Sequence, residues 1–293
     1  MTITYIKEKQ HIIRFHMEDI ARIIIEKNRE VGKIPYDRKF SVSAILADLK
    51  KEFDREGQAK KCSERDKDNP EGKYYGMSPE DIIRAWEEKS NNSKRMGSIV
   101  DDYIGIKTET APDRLETAVK MYRMDHDWEA PVKRKLDGID EVLDFLKGNN
   151  TTFICREHPI YIPITAPGTL DTYYISGRFD AIFNFNDSAF LIIDWKNSEN
   201  IESDNKYGEK MLGPLSNLDA CDHNSYTTQL YLYVYALRNV YGIKTPMSVR
   251  IVQFPAEKEK AYYIHKPNYV YSDELITNVI QYGVQKEILK RKM

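Results

Sequence analysis

Apolar residues in the first half of the chain recur at helical spacing. The pattern predicts helices over residues 17–31 and 41–56, while the polar stretch 57–76 predicts a loop. Ser78, with Asp81 three residues later, is typical of a capped helix start. The remaining helices of this half are predicted from Ser78 through Ser90, at about 94–104, over 113–129 and over 138–147.

From about Thr151 the pattern becomes that of β-strands. Three β-rich runs follow, TTFICREHPIYIPI, TYYISGRFDAIFNF and AFLIIDWK, separated by turn residues. A polar connection over 197–223 comes next, and loops of that length are usually functional or disordered. A helix over 224–241, strands near 247–254 and 260–266, and a last helix over 272–290 complete the order β-β-β-α-β-β-α.

Composition separates the same two halves. Charged residues make up 59 of the first 150 positions but only 31 of the remaining 143. The sequence therefore predicts an N-terminal helical elaboration over 1–150, including the first core helix, and a sheet-bearing core over 151–293. We expect one compact α/β domain with a central mixed β-sheet flanked by helices.

The charge balance and the cysteines exclude several classes of protein. The net charge of −2 is inconsistent with a globally basic chain that coats nucleic acid. No apolar run is long enough for a membrane span, and the first residues lack a secretory pattern. Cys62, Cys155 and Cys221 are too far apart for a zinc site or a disulfide framework. We therefore expect an intracellular, cytoplasmic protein without membrane association.

Two carboxylates and a lysine come together at the end of the most apolar strand. Asp194 and Lys196 project to one face of that strand and Trp195 to the other. Asp180 lies near the end of the preceding strand of a predicted hairpin, which brings its carboxylate close to that of Asp194. Like charges repel, and Mg²⁺ or Mn²⁺ prefers such oxygen ligands. The pattern predicts a divalent-metal site, and the alternative is a hairpin with polar ends.

The order of the motifs resembles the PD-(D/E)XK nuclease superfamily, in its RecB-like exonuclease branch. The resemblance rests on GRFDAIF, LIIDWK and QLYLY, preceded by SVSAIL, AW and RMGSIVDDYI, and it covers about residues 41–241. The segment KMLGPLSNLDAC is similar to phage members, and other segments are similar to phage and mitochondrial-type exonucleases. The resemblance implies a restriction-endonuclease-like core and a nuclease activity.

The resemblance also implies a role for each matching residue. Asp180, Asp194 and the backbone carbonyl of Trp195 would bind Mg²⁺ or Mn²⁺, and Lys196 would orient the attacking water and offset charge on the phosphate. On the following helix, Gln229 would help to hold Lys196 or the water, and Tyr233 would pack beneath the site or touch the substrate. Three cysteines are too few for the four-cysteine iron–sulfur cluster of some relatives.

Two further acidic residues, Asp101 and Glu157, each allow two interpretations. Many relatives carry G-x-x-x-H on an early helix, but here Gly97 is followed by Asp101 at the position of the histidine. Asp101 is either a third carboxylate ligand or a solvated acid on a helix. Glu157 either supports the metal site or pairs with Arg156 or Arg178.

Nucleic acid would still need local contacts to its phosphates and bases. We predict contacts from Arg95, from Lys206 and Lys210 in the long connection, and from the ring of Tyr226. The connection itself is hypothesised to arch over the cleft and to admit only a strand end.

The function that follows is a divalent-metal-dependent deoxyribonuclease, an exonuclease on single-stranded DNA or strand ends. The resemblance places it in phage-type replication, recombination or DNA processing, with replication or recombination proteins as partners. Two alternatives stay open. The chain is a nuclease-like DNA- or partner-binding module with weak or no catalysis, or it is an endonuclease acting on junctions or RNA.

Overall fold

The computed structural model describes residues 20–29, 39–110, 129–165, 171–186 and 188–292. Residues 20–29 form helix α1. The bounds of the other helices are α2 Val42–Asp48, α3 Arg55–Asp66, α4 Pro79–Lys107, α5 Glu129–Gly148, α6 Asp222–Tyr235 and α7 Asp273–Lys292. A π-helical turn, Ala236–Val240, continues α6. Within the described ranges, no helix combines the length and apolarity needed to cross a membrane.

The N-terminal helices differ from the predicted ones in several places, and α5 begins at Glu129 rather than near residue 138. The single helix predicted over 41–56 is two helices, because Asp54 caps a new helix start through the backbone N–H of Gly57. As a result, much of the predicted loop 57–76 is helical. The two helices predicted between Ser78 and Ile104 are one helix, α4, which begins at the predicted capping box. The helix predicted over 113–129 lies almost wholly outside the described residues.

The strands form two mixed sheets rather than one. Their bounds are β1 Lys39–Ser41, β2 Thr151–Arg156, β3 Pro159–Thr165, β4 Thr172–Arg178, β5 Ala181–Phe185, β6 Ala189–Lys196, β7 Met247–Gln253 and β8 Tyr263–His265. The larger sheet has the order β2-β5-β6-β7-β8, with only β6 and β7 parallel, and the smaller has the order β1-β4-β3. The predicted α/β fold class is confirmed, and this arrangement is compatible with a nuclease-like core.

Two of the predicted β-rich runs each contain a break and contribute one strand to each sheet. The first breaks at Glu157, whose φ of 56° lies in the left-handed region. The second breaks at Phe179 and Asp180, between β4 and β5. The predicted order of three strands before α6 is therefore wrong, because the chain crosses between sheets at both breaks. The division of the chain at residue 150 stays a prediction.

Strand β6 is buried on both faces, which explains its continuous apolar run. Ile192 belongs to the core shared with α6 and α7, whereas Ile193 and Trp195 belong to a second core beneath α5. Alternation along the strand therefore places Asp194 on the face of Ile192 and Trp195 on the opposite face. At the end of β6, the side chains of Asp194 and Lys196 therefore lie on the face of the sheet that packs against α6.

Helices α2 and α7 approach closely at Gly283. A Cβ at this position would lie 2.6 Å from the Ile45 side chain, which is fully buried. We expect Gly283→Ala to destabilise the protein, because overpacking costs about 1–3 kcal/mol and outweighs the helix propensity gained, about 1 kcal/mol. Urea unfolding measures the change in the free energy of unfolding.

Gly148, at the end of α5, is the matched control because a Cβ there would meet nothing within 4 Å. We expect Gly148→Ala to be neutral or stabilising. Equal effects of the two substitutions would contradict the close packing of α2 and α7.

Candidate active site

The two predicted carboxylates face each other across neighbouring strands. Ala181 of β5 pairs with Ile193 of β6, so Asp180, one residue earlier, lies opposite Asp194. Asp180 Oδ2 accepts a hydrogen bond of 2.7 Å from the backbone N–H of Trp195. The hairpin thus brings Asp180 and Asp194 together from positions fourteen residues apart.

Lys196 provides the cation beside Asp194. Its Nζ lies 2.7 Å from Asp194 Oδ2, and the Asp194 side chain is only 1% exposed. The same Nζ lies 4.5 Å from the centroid of the Tyr226 ring on α6, which is within the range of a cation–π contact. Asp194 Oδ1 is also buried, and it has no hydrogen-bond partner in the described structure.

The other two acidic candidates are each paired with an arginine. Asp101, on α4, forms an ion pair with Arg156 at the end of β2. Glu157 follows directly, and its Oε2 lies 2.8 Å from Arg178 Nε at the end of β4. The structure therefore shows Glu157 in the arginine pairing that the sequence left open, and it places Asp101 in a pairing that the sequence did not suggest.

These residues surround one small cleft of about 290 Å³. It opens between α4, the break at Glu157 and the carboxyl end of β6. Its walls are formed by Gly97, Val100, Asp101, Glu157, Arg178, Asp180, Trp195, Lys196 and Asn197. Asp194 is not among the wall residues: its side chain is 1% exposed, and its Oδ2 lies 2.7 Å from Nζ of the wall residue Lys196. The structure therefore gathers most of the predicted catalytic and metal-binding residues at a single site.

The charges in the cleft shift one another's pKa values. Burial raises the pKa of Asp180 well above its usual range, and the negative charge of Asp194 raises it further. Burial lowers the pKa of Lys196, but the carboxylates of Asp194 and Asp180 outweigh that effect and hold the pKa above its usual value. Burial and the charge of Asp101 raise the pKa of Glu157. Lys196 is consequently protonated at neutral pH.

Helix α6 places Gln229 and Tyr233 on its site-facing side. Gln229 Nε2 donates a 2.9 Å hydrogen bond to the hydroxyl of Tyr233, one turn later. Tyr233 is 2% exposed, and burial raises the pKa of its hydroxyl. A Cβ at Gly177 would meet the Tyr233 ring at 2.8 Å. Glycine in the GRFD motif thus allows the tyrosine to pack beneath the site, while the predicted hold of Gln229 on Lys196 or water stays a prediction.

A polar network that the sequence did not reveal fixes the chain just after β6. Gln253, at the end of β7, is 1% exposed, and its Nε2 donates to the carbonyls of Ser198 at 2.9 Å and Glu199 at 2.8 Å. His265 Nε2 lies 2.9 Å from Gln253 Oε1. The buried Lys135 approaches Glu199 at 3.4 Å. In the sequence, the signal for Gln253 is a polar residue that directly follows the apolar pair Ile251 and Val252 at the end of a β-strand pattern.

The predicted nucleic-acid contacts are more dispersed. Arg95 is exposed on α4, two residues before Gly97 of the cleft. In the connection, Lys206 lies over the ring of Tyr207, and Lys210 pairs with Asp219 at 2.5 Å. Neither lysine lines the cleft. Tyr226 is the predicted contact that the structure places directly beside Lys196.

The long connection is anchored in the core rather than arched over its whole length. Met211 and Leu215 are buried, and the Leu212 N–H donates to the carbonyl of Leu49. Asn197 is the member of the connection that lines the cleft. The hypothesised arch over the cleft therefore does not include the segment from Met211 to Leu215.

The residues present fit a hard divalent cation. Among the described residues, no three His, Cys, Asp or Glu side chains already converge as a metal site. Mg²⁺, however, is commonly held by one or two carboxylates, with water and substrate phosphate completing its coordination. The facing pair of Asp180 and Asp194, with the unpartnered buried oxygen of Asp194, meets that requirement.

No protein-family model and no curated protein matches the chain. Among solved structures, it is similar to a candidate exonuclease from Eubacterium rectale with a TM-score of 0.42 and 13% identity, covering 86% of this chain and 80% of that one. It is similar to SSO0001 with a TM-score of 0.34 and 13% identity, covering 91% and 84% of the two chains. Structural likenesses this low do not indicate a shared function. The function is inferred from the residues of the cleft.

Asp180 is expected to destabilise the protein when no metal is bound. Its raised pKa means that the folded state binds the proton more tightly than the unfolded chain, so stability falls as pH rises from about 4 through the raised pKa. Asp180→Asn removes this penalty. We expect the metal-free variant to be more stable than wild type at neutral pH by about 1 kcal/mol or more, and equal to it in acid, as measured by urea unfolding in EDTA.

Asp144→Asn, an exposed change on α5, serves as the control and should stay within about 0.5 kcal/mol of wild type. If Asp180→Asn lowers stability at neutral pH, the burial of the Asp180 carboxylate beside Asp194 does not destabilise the metal-free protein.

Proposed function

We propose that this protein is a divalent-metal-dependent phosphodiesterase acting on DNA. The observation that carries the proposal is the buried carboxylate of Asp194, which has an unpartnered oxygen and lies between Asp180 and a protonated Lys196. Burying a carboxylate oxygen without a partner is costly, and groups of this kind in a cleft mark candidate binding or catalytic sites. No structural interaction in the described part of the chain accounts for the free oxygen.

Asp180, Asp194 and the backbone carbonyl of Trp195 are the groups that would hold Mg²⁺ or Mn²⁺. The ion would supply Lewis-acid activation of water and of the phosphate. Within this set, the Trp195 N–H fixes the carboxylate of Asp180 through their 2.7 Å hydrogen bond. The backbone therefore preorganises one ligand before any substrate arrives.

Lys196 acts as a donor and a positive charge, not as a base. Its pKa is held above the usual value by two carboxylates, so it carries its proton at neutral pH. A protonated lysine can donate a hydrogen bond to the attacking water or to a phosphate oxygen, and it stabilises charge that develops on the phosphate. The contact between Lys196 Nζ and the Tyr226 ring restricts where the ammonium group can move.

The finer proposal is an exonuclease on single-stranded DNA or strand ends, working in the cytoplasm in phage-type replication, recombination or processing. The ordered motifs of the PD-(D/E)XK resemblance support it. Tyr226 supports it as well, because an aromatic ring beside the catalytic lysine suits contact with an unpaired nucleotide. Arg95, exposed near the cleft on α4, would contact the strand backbone.

One observation favours a second candidate, a nuclease-like binding module with weak or no catalysis. Asp101, Glu157 and Asp194 are each paired with a cationic side chain. If these pairs persist in the presence of Mn²⁺, the site holds no ion and the protein binds DNA without cutting it.

Removal of either central charge is expected to abolish hydrolysis. Asp194→Asn removes a metal ligand, and Lys196→Met removes the charge that stabilises the transition state, so each should lower kcat by about 100-fold or more. The measurement is hydrolysis of linear and circular single-stranded DNA with Mg²⁺ or Mn²⁺. The exonuclease should spare the circle, and cutting of circular DNA would favour an endonuclease.

Matched controls are Asp144→Asn and Lys147→Met, which remove the same charges from exposed positions on α5. Both should retain full activity. Undiminished activity of the Asp194 and Lys196 variants would contradict the proposed mechanism, and inactive wild-type protein that still binds DNA would favour the binding module.

A further inference from the structure

Asp101 and Glu157 both line the cleft, and the arginines that hold them differ in burial. The side chain of Arg156, which holds Asp101, is 6% exposed. The side chain of Arg178, which holds Glu157, is 64% exposed. This difference decides which of the two carboxylates is free to bind an ion.

If Asp101 moved away from Arg156, the buried guanidinium would lose its ion-pair partner. Arg156 Nε already lacks a hydrogen-bond partner in the described structure, so the guanidinium depends strongly on Asp101. Breaking a buried ion pair by removing one partner is strongly destabilising, because the remaining charge is not solvated. Asp101 is therefore committed to Arg156.

Glu157 is in the opposite situation. Arg178 turns into solvent, and ion pairs with an exposed partner contribute little, because water replaces the lost contact. Glu157 can exchange Arg178 for a metal ion at small cost. The break between β2 and β3 places Glu157 beside Asp101 and Arg178 in the cleft wall.

We propose that Arg156 acts as a built-in cation that keeps Asp101 out of the metal site. The cleft then takes a single divalent ion on Asp180 and Asp194, and Glu157 is the acidic residue able to join them. This inference rests on the proposed metal-dependent function and deepens it.

The charge balance supports a single ion. Four carboxylates belong to the site, and three cationic side chains oppose them: Arg156, Arg178 and Lys196. One divalent ion therefore makes the site net positive, which suits a phosphodiester. Removal of the buried Arg156 disturbs this balance more than removal of Arg178, because the charge of the exposed Arg178 is screened by solvent.

Titration with Mn²⁺ by calorimetry tests the proposal, without recourse to activity. Wild-type protein should bind one ion, and Asp101→Asn should change the affinity by no more than about twofold. Arg156→Met releases Asp101, so it should bind a second ion or bind Mn²⁺ about tenfold more tightly. Adding Asp101→Asn to Arg156→Met should remove that gain.

Arg178→Met is the matched control for loss of an arginine at the cleft, and it should change the affinity by about twofold or less. Asp101→Asn leaves Arg156 unpaired and is expected to lower the melting temperature. The double variant removes both charges, so its comparison with Arg156→Met carries the test even if Asp101→Asn alone does not fold.

The outcomes separate this inference from the proposed function. If Asp101→Asn weakens Mn²⁺ binding as strongly as Asp180→Asn does, or if Arg156→Met leaves stoichiometry and affinity unchanged, Arg156 does not control the site, while metal dependence stands. If wild-type protein binds no Mn²⁺, both the single-ion site and the metal-dependent function are wrong.

Discussion

The buried carboxylate of Asp194 is the constraint on which the site depends. A carboxylate that is 1% exposed cannot remain charged inside a protein without a nearby cation. Lys196, two residues later on the same face of β6, provides that cation. Its ammonium group is in turn held against the ring of Tyr226 on α6. One strand end and one helix thus hold a charged pair that neither could stabilise alone.

The pair is positioned by a sheet covered on both faces. Odd-numbered residues of β6, ending with Trp195, pack beneath α5, and the even-numbered residues face α6. Because both faces are fixed by packing, β6 cannot slip by one residue without burying Lys196 in the apolar core beneath α5. Gln253 at the end of β7 then ties down the backbone that follows Lys196. The packed sheet therefore fixes the positions of Asp194 and Lys196.

The same site carries a cost in stability. Asp180 and Asp194 face each other, and the pKa of Asp180 is raised by its burial and by that proximity. Ion pairs from the surrounding elements offset only part of the repulsion. Natural proteins keep such destabilising arrangements where binding or catalysis requires them. The stability lost at the acidic cleft is thus what the proposed metal-binding function would require.

Much of the central geometry follows from short-range pattern in the sequence. Strand alternation places Asp194 and Lys196 on one face, and the hairpin brings Asp180 opposite them. Helical spacing places Gln229 beside Tyr233. These relations depend on the repeat of a strand or a helix, and both repeats are visible in the order of apolar residues.

Only the tertiary structure decided where the chain changes sheets and which charges meet. The break at Glu157 has a left-handed backbone, which the β-rich sequence around it does not predict. The run predicted as one strand therefore forms two. The partner of Asp101 is Arg156, fifty-five residues away, and no local repeat connects them. The sequence by itself determined which residues share a face, because that is a property of one element. Long-range packing determined which carboxylates are neutralised, because burial of the partner cation depends on the whole fold.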